Sequence, residues 1–198
     1  MEKYKQLLIE VEVLLKKQGF TKKGSSFYIL KDNNWGLIDF QKSRDNSIDS
    51  LKFTINIGIS STTLRSFFEE NLKDKPSIID CNWQKRVGFL LPINKDMWWQ
   101  ITNDTNLASL QNEINLIILS LVIPYINSKI SDINLETNWQ NGISEGLTDY
   151  QRCRNLLILM KYNKRNNIDS VIENLKNNTS KLLQIDSILK ELDLMRNG

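Results

Sequence analysis

The sequence predicts an α+β fold: an N-terminal helix, an antiparallel sheet of about five strands with helices on one face, and a C-terminal helical tail. Three observations carry this. Residues 36–43 (GLIDFQKS) and 51–59 (LKFTINIGI) alternate apolar and polar side chains, as half-buried strands do. Residues 2–18 instead place Tyr4, Leu7, Leu8, Val11, Leu14 and Leu15 on one helical stripe. After residue 103 the long apolar patterns all have helical spacing.

The elements follow in order. The first helix spans 2–18, with Lys16 and Lys17 in its last turn and Gly19 where a C-terminal cap belongs. A strand over 27–30 then hairpins through Asp32-Asn33-Asn34 into the 36–43 strand. The polar loop 44–50 leads to the 51–59 strand. Residues 60–72 read as a short helix that Pro76 closes, and 84–91 as a strand with Val87, Phe89 and Leu91 on one face. Residues 97–101 form the last strand.

Asn103 or Asp104 caps the next helix, whose stripe runs from Leu107 to Val122. A short helix over 131–141, a helix over 147–162 and a final helix over 168–195, broken near Asn177-Asn178-Thr179, complete the chain. These divide into a sheet domain, 1–130, and a helical extension, 131–198, packed on it or forming a small subdomain.

Composition excludes more chemistry than it suggests. With 40% hydrophobic and 25% charged residues the chain reads as globular. It contains no histidine, which removes Ser-His-Asp and Cys-His nucleophile activation and every His-containing zinc site. Two isolated cysteines, Cys81 and Cys153, cannot form an all-cysteine zinc site and are expected as reduced thiols. No glycine-rich phosphate loop occurs. No catalytic residue, metal or cofactor is therefore assigned.

The net charge of +3 is too small for a polyanion-binding footprint, so the sequence argues against a nucleic-acid partner. The basic groups Lys22-Lys23 and Arg152 to Arg165 read as solvated faces. The charged residues 1–18 lack the apolar core of a signal sequence, and the apolar run 116–126 is about half of the roughly 20 residues a membrane span needs. A cytoplasmic protein without a membrane contact is expected.

What remains is the second face of the sheet. Alternation puts Asp39, Gln41 and Ser43 there beside Thr54 and Asn56, with Arg86 from a later strand. An arginine can grip a carboxylate or phosphate bidentately. Trp98 and Trp99 point to opposite faces, so one is expected in the core and the other at the border of this surface. These eight residues are the candidate binding set. An antiparallel sheet often leaves one face solvated, however, so a polar face by itself needs no ligand.

A series of short motifs adds a family resemblance: Gly19-Phe20-Thr21-Lys22-Lys23, Phe27-Tyr28, Phe40-Gln41-Lys42-Ser43, Phe53-Thr54-Ile55-Asn56-Ile57-Gly58, Cys81, Arg86-Val87-Gly88 and Trp98-Trp99. In order and spacing it resembles an uncharacterised bacterial family, domain of unknown function number 4304, over roughly residues 5–125. The resemblance implies a bacterial cytoplasmic α+β domain with no assigned activity. In size and style such families look similar to immunity proteins that bind and block a partner toxin. The expected function is a non-enzymatic protein-binding module using the polar sheet face. The alternative is a small enzyme or ligand-binding protein holding an anionic small molecule with Asp39, Gln41, Ser43, Asn56 and Arg86.

Overall fold

The computed structural model describes residues 2–47, 49–178 and 182–194. Helix α1 (Glu2–Lys17) buries Tyr4, Leu7, Leu8, Val11 and Leu15. It ends in a Schellman arrangement: the Gly19 N–H donates to Lys16 O and the Phe20 N–H to Leu15 O, with Gly19 at φ +85°. The six strands that follow are β1 (Thr21–Lys23), β2 (Ser26–Lys31), β3 (Asn34–Lys42), β4 (Ser50–Ser60), β5 (Trp83–Arg86) and β6 (Trp99–Thr102). All pair antiparallel in the order β1-β2-β3-β4-β5, and β6 pairs the other end of β4. Asp32 and Asn33, both with positive φ, make the two-residue turn between β2 and β3.

Strand β4 is the spine of the sheet. One edge runs along β3, from Trp35 opposite Ser60 to Lys42 opposite Phe53. The other edge carries β5 against residues 56–59 and β6 against residues 50–53. On one face Ile38, Phe40, Phe53, Ile55 and Ile57 are buried in the main core. There Phe40 stacks on Phe53 and Phe53 on Trp99, with ring centroids 5.9 and 5.6 Å apart.

Helix α3 (Leu107–Ile117) packs beside α1 on this face. Its cap is Asn106, whose side chain accepts from the Ser109 N–H, and not Asn103 or Asp104. A π turn over Ile118–Val122 joins it to α4 (Ile123–Lys129). The joined helix, Leu107–Lys129, is 23 residues, and its most apolar 18-residue stretch has mean hydropathy 1.4, enough by length and composition to cross a membrane. The apolar run 116–126 is only the middle of this helix. Its inner side, including Ile114, Ile118, Val122 and Ile126, is part of the core, whereas Leu116 is 68% exposed.

The remaining helices are α2 (Thr62–Phe67), α5 (Asp132–Gln140), α6 (Asp149–Tyr162), α7 (Ile168–Asn178) and α8 (Leu182–Leu194). Thr179, part of the expected break after α7, and Met195, the expected end of the last helix, lie outside the described residues. Helix α6 is central. Thr148 and Gln151 cap it reciprocally, and it packs on α2, α5, α7 and α8. Leu156, Leu157, Ile158, Leu159 and Met160 are fully buried in the same apolar cluster as the sheet. A polar joint ties β3, α2 and α5 together: the Asp132 carboxylate accepts from Asn34 Nδ2, Ser61 Oγ and Thr63 Oγ1 at 2.7–2.8 Å.

The antiparallel sheet is the one expected, with β1 as a short sixth strand whose three residues are too few to show an alternation. Two expectations need correction. The strand expected over 84–91 stops at Arg86, and Val87–Phe89 form a single 3₁₀ turn. Gly88 explains the stop: a Cβ there would lie 2.2 Å from Lys95 O, so the chain folds back on itself at this point. The helix expected over 60–72 is only the six residues of α2.

Candidate functional site

The pairing register builds a polar row across four strands. Ser26 lies opposite Asp39, Asp39 opposite Asn56, and Asn56 opposite Arg86, so all four project from the second face of the sheet. Gln41, two residues beyond Asp39, joins the row through its side chain. The Asn56 Nδ2 donates to Gln41 Oε1 at 2.9 Å, and Arg86 Nε donates to Asn56 Oδ1 at 3.3 Å. Arg86 Nη1 then donates to Asp96 Oδ2 at 2.6 Å. The Trp98 indole N–H donates to the same oxygen at 3.1 Å, and the guanidinium carbon lies 5.3 Å from the Trp98 ring centroid. Arg86 is thus held by an amide, a carboxylate and an aromatic face at once.

This network floors an open groove of about 420 Å³. Gln41, Asn56, Gln84 and Arg86 supply its polar floor, and Ile79 and Phe89 its rim. Ile79 is 80% exposed and Phe89 43%. Gly146, from the α5–α6 loop, lines the groove as well. That loop is fastened to β5 by the Gln84 N–H donating to Glu145 O at 2.9 Å and by Lys85 Nζ donating to Glu145 Oε1 at 2.5 Å. Partial burial pushes the Asp96 carboxyl up, but the hydrogen bonds from Arg86 and Trp98 and the guanidinium charge outweigh it and hold the group below the usual carboxylate range.

The eight sequence-derived residues separate into three groups. Gln41, Asn56 and Arg86 meet in the groove. Ser43 and Trp98 line a second hollow of about 480 Å³ beside it, with Asp45, Lys52 and Gln100. Asp39, Thr54 and Trp99 line neither of these two hollows. Asp39 is half-buried and accepts from Ser26 Oγ at 2.6 Å. Thr54 is fully buried with its hydroxyl on Met97 O at 2.8 Å. Trp99 is the core tryptophan, and its indole N–H donates to Glu113 Oε1.

The second face is therefore not an open polar surface. Ile78 and Cys81 pack over it at Gly58, and Cys81 forms a small apolar cluster of its own with Tyr28 and Leu37. Burial pushes the Cys81 thiol up, away from reactivity. Sequence reasoning missed Asp96, Gln84, Ile79 and Phe89. Phe89 stood in an apparent strand, and no local pattern marks Asp96 or Ile79. Among the described residues no group of three or more acidic or cysteine side chains is placed to hold a metal ion.

A protein-family model matches residues 11–128, more than half of the chain. The chain belongs to the domain-of-unknown-function family DUF4304. The DUF4304 match runs from within α1 to the last turn of α4, so the whole sheet and the groove floor lie inside it. The Gly146 side of the groove and helices α5 to α8 lie beyond it. No curated protein and no solved structure gives a significant match.

Proposed function

We propose that this DUF4304 chain is a non-enzymatic, cytoplasmic protein-binding module, immunity-like in style, that recognises a partner protein through the groove around Arg86. The observation that carries this reading is the pairing of a pre-ordered polar floor with two protruding apolar side chains, Ile79 and Phe89. Apolar anchors around oriented hydrogen-bonding groups are what protein recognition uses, and rigid strands spare the partner the cost of ordering them. The competing reading, a small anion held by Arg86, has less support. The guanidinium already faces the Asp96 carboxylate at 2.6 Å, which takes up its charge.

The test places a photo-crosslinking residue at Ile79 and exposes the protein to lysate of its source cell. One dominant adduct is expected, abolished by Phe89→Asp and by Arg86→Ala in proteins whose Tm stays within a few degrees of wild type. Absence of any adduct, or adducts indifferent to both substitutions, would overturn the reading.

A further inference from the structure

The hollow beside the groove is built on a second polar row, and we infer that it binds a neutral saccharide. The row lies at the other end of β4 from Gly58. Ser43 stands opposite Lys52, its N–H donating to Lys52 O at 2.9 Å, and Lys52 stands opposite Gln100. Residues paired in this way project from one face. Trp98, two residues before Gln100, lines the hollow with them. Asp45 completes it from a loop that is fixed in place. Its N–H donates to Ser43 Oγ at 3.2 Å. The neighbouring Asn46 side chain accepts from the Lys52 N–H at 2.7 Å and donates to Lys52 O at 3.2 Å.

These polar residues keep hydrogen-bonding capacity. Ser43 Oγ accepts from Asp45 and retains its own O–H to donate. Gln100 Nε2 donates to Ser50 Oγ at 2.8 Å, which leaves Oε1 to accept. The Asp45 carboxylate and the Lys52 ammonium are exposed, and among the described residues neither is in an ion pair. Two donors and two acceptors therefore line one space. Their charges cancel, which favours a neutral ligand over an ion of either sign. Hydroxyl groups both donate and accept, so a ring that carries several can use all four.

Trp98 supplies the flat partner such a ring needs. Its indole N–H is held by Asp96 and its ring by the Arg86 guanidinium, so the plate is oriented before any ligand arrives. The C–H groups of a pyranose carry partial positive charge and rest well on the negative face of an indole. The space, about 480 Å³, lies in the range of small-molecule sites and admits a mono- or disaccharide. The inference does not depend on the partner groove, which Asp45, Lys52 and Gln100 do not line.

The experiment follows the Trp98 indole N–H NMR signal of the full chain, assigned by its loss in Trp98→Phe or, should that variant not fold, by sequential assignment. Maltose, cellobiose, lactose and chitobiose are titrated in turn, against glycerol and glycine at equal concentration. At least one disaccharide should shift the signal saturably with Kd below about 10 mM, whereas glycerol and glycine should not. Asp45→Ala and Gln100→Ala should each weaken that binding about fivefold or more, with Tm within a few degrees of wild type and the Ile79 adduct unchanged. A signal that no disaccharide moves beyond glycerol, one that glycine moves equally, or binding indifferent to both substitutions would overturn the inference.

Discussion

Gly58 has no room for a methyl group. A Cβ there would lie 2.5 Å from Cys81 Sγ and 2.8 Å from Ile78 Cδ1, so Gly58→Ala should destabilise the protein by about 1–3 kcal/mol. Cys81→Ala in the same chain should restore part of that, and denaturant unfolding of the two single variants and the double variant measures the coupling. Asp96 offers a test of the groove network. Its carboxyl is held below the usual range, so the contribution of the Arg86 contact is complete above the unfolded value of about 3.9 and is lost as pH falls through the lower folded value. The Asp96 carboxyl carbon, followed by NMR, should titrate below that reference, and Arg86→Met should raise the midpoint. At this scale the sequence was informative about direction and uninformative about cover. Alternation placed Thr54 and Asn56 on the correct face, yet nothing local revealed that Met97 and Cys81 come down over that face from a distant segment.

Elements were legible where their own pattern ran long enough. The alternation of β3 and β4 and the stripe of α1 each span several repeats, so propensity and burial agree there. β5 misled because Val87, Phe89 and Leu91 continue its alternation past the point where close backbone approach at Gly88 turns the chain. That steric stop sits between residues far from the strand's own pattern. Asp132 shows the same blindness for polar joints: its three hydrogen-bond donors come from β3 and from residues at the start of α2. Asp132→Ala should cost about 2–3 kcal/mol, since it strands buried donors at Ser61 and Asn34 as well as deleting bonds to a charge. Urea unfolding at constant pH gives the value directly.

The molecule as a whole behaves, on this packing, as more than its family-matched part. Leu156, Ile158 and Met160 of α6 share one apolar cluster with the sheet, and α6 packs against α2. Calorimetry of the full chain should therefore show a single transition, and a chain ending at residue 130 should lose it and aggregate, because the sheet side of that cluster would be left uncovered. Separate transitions for the two parts would contradict this. The sequence division at residue 130 came from the change of pattern, which is blind to shared burial. One further consequence comes from β4 holding both β5 and β6 on one edge. The segment between them, which carries Phe89, Asp96 and Trp98, is stitched at each end to a single strand. Its closure entropy is settled when the sheet forms, so the segment can swing away only if one of those short ladders unzips. Amide hydrogen exchange at Lys85 and Ile101 would then keep time with the opening of the groove itself.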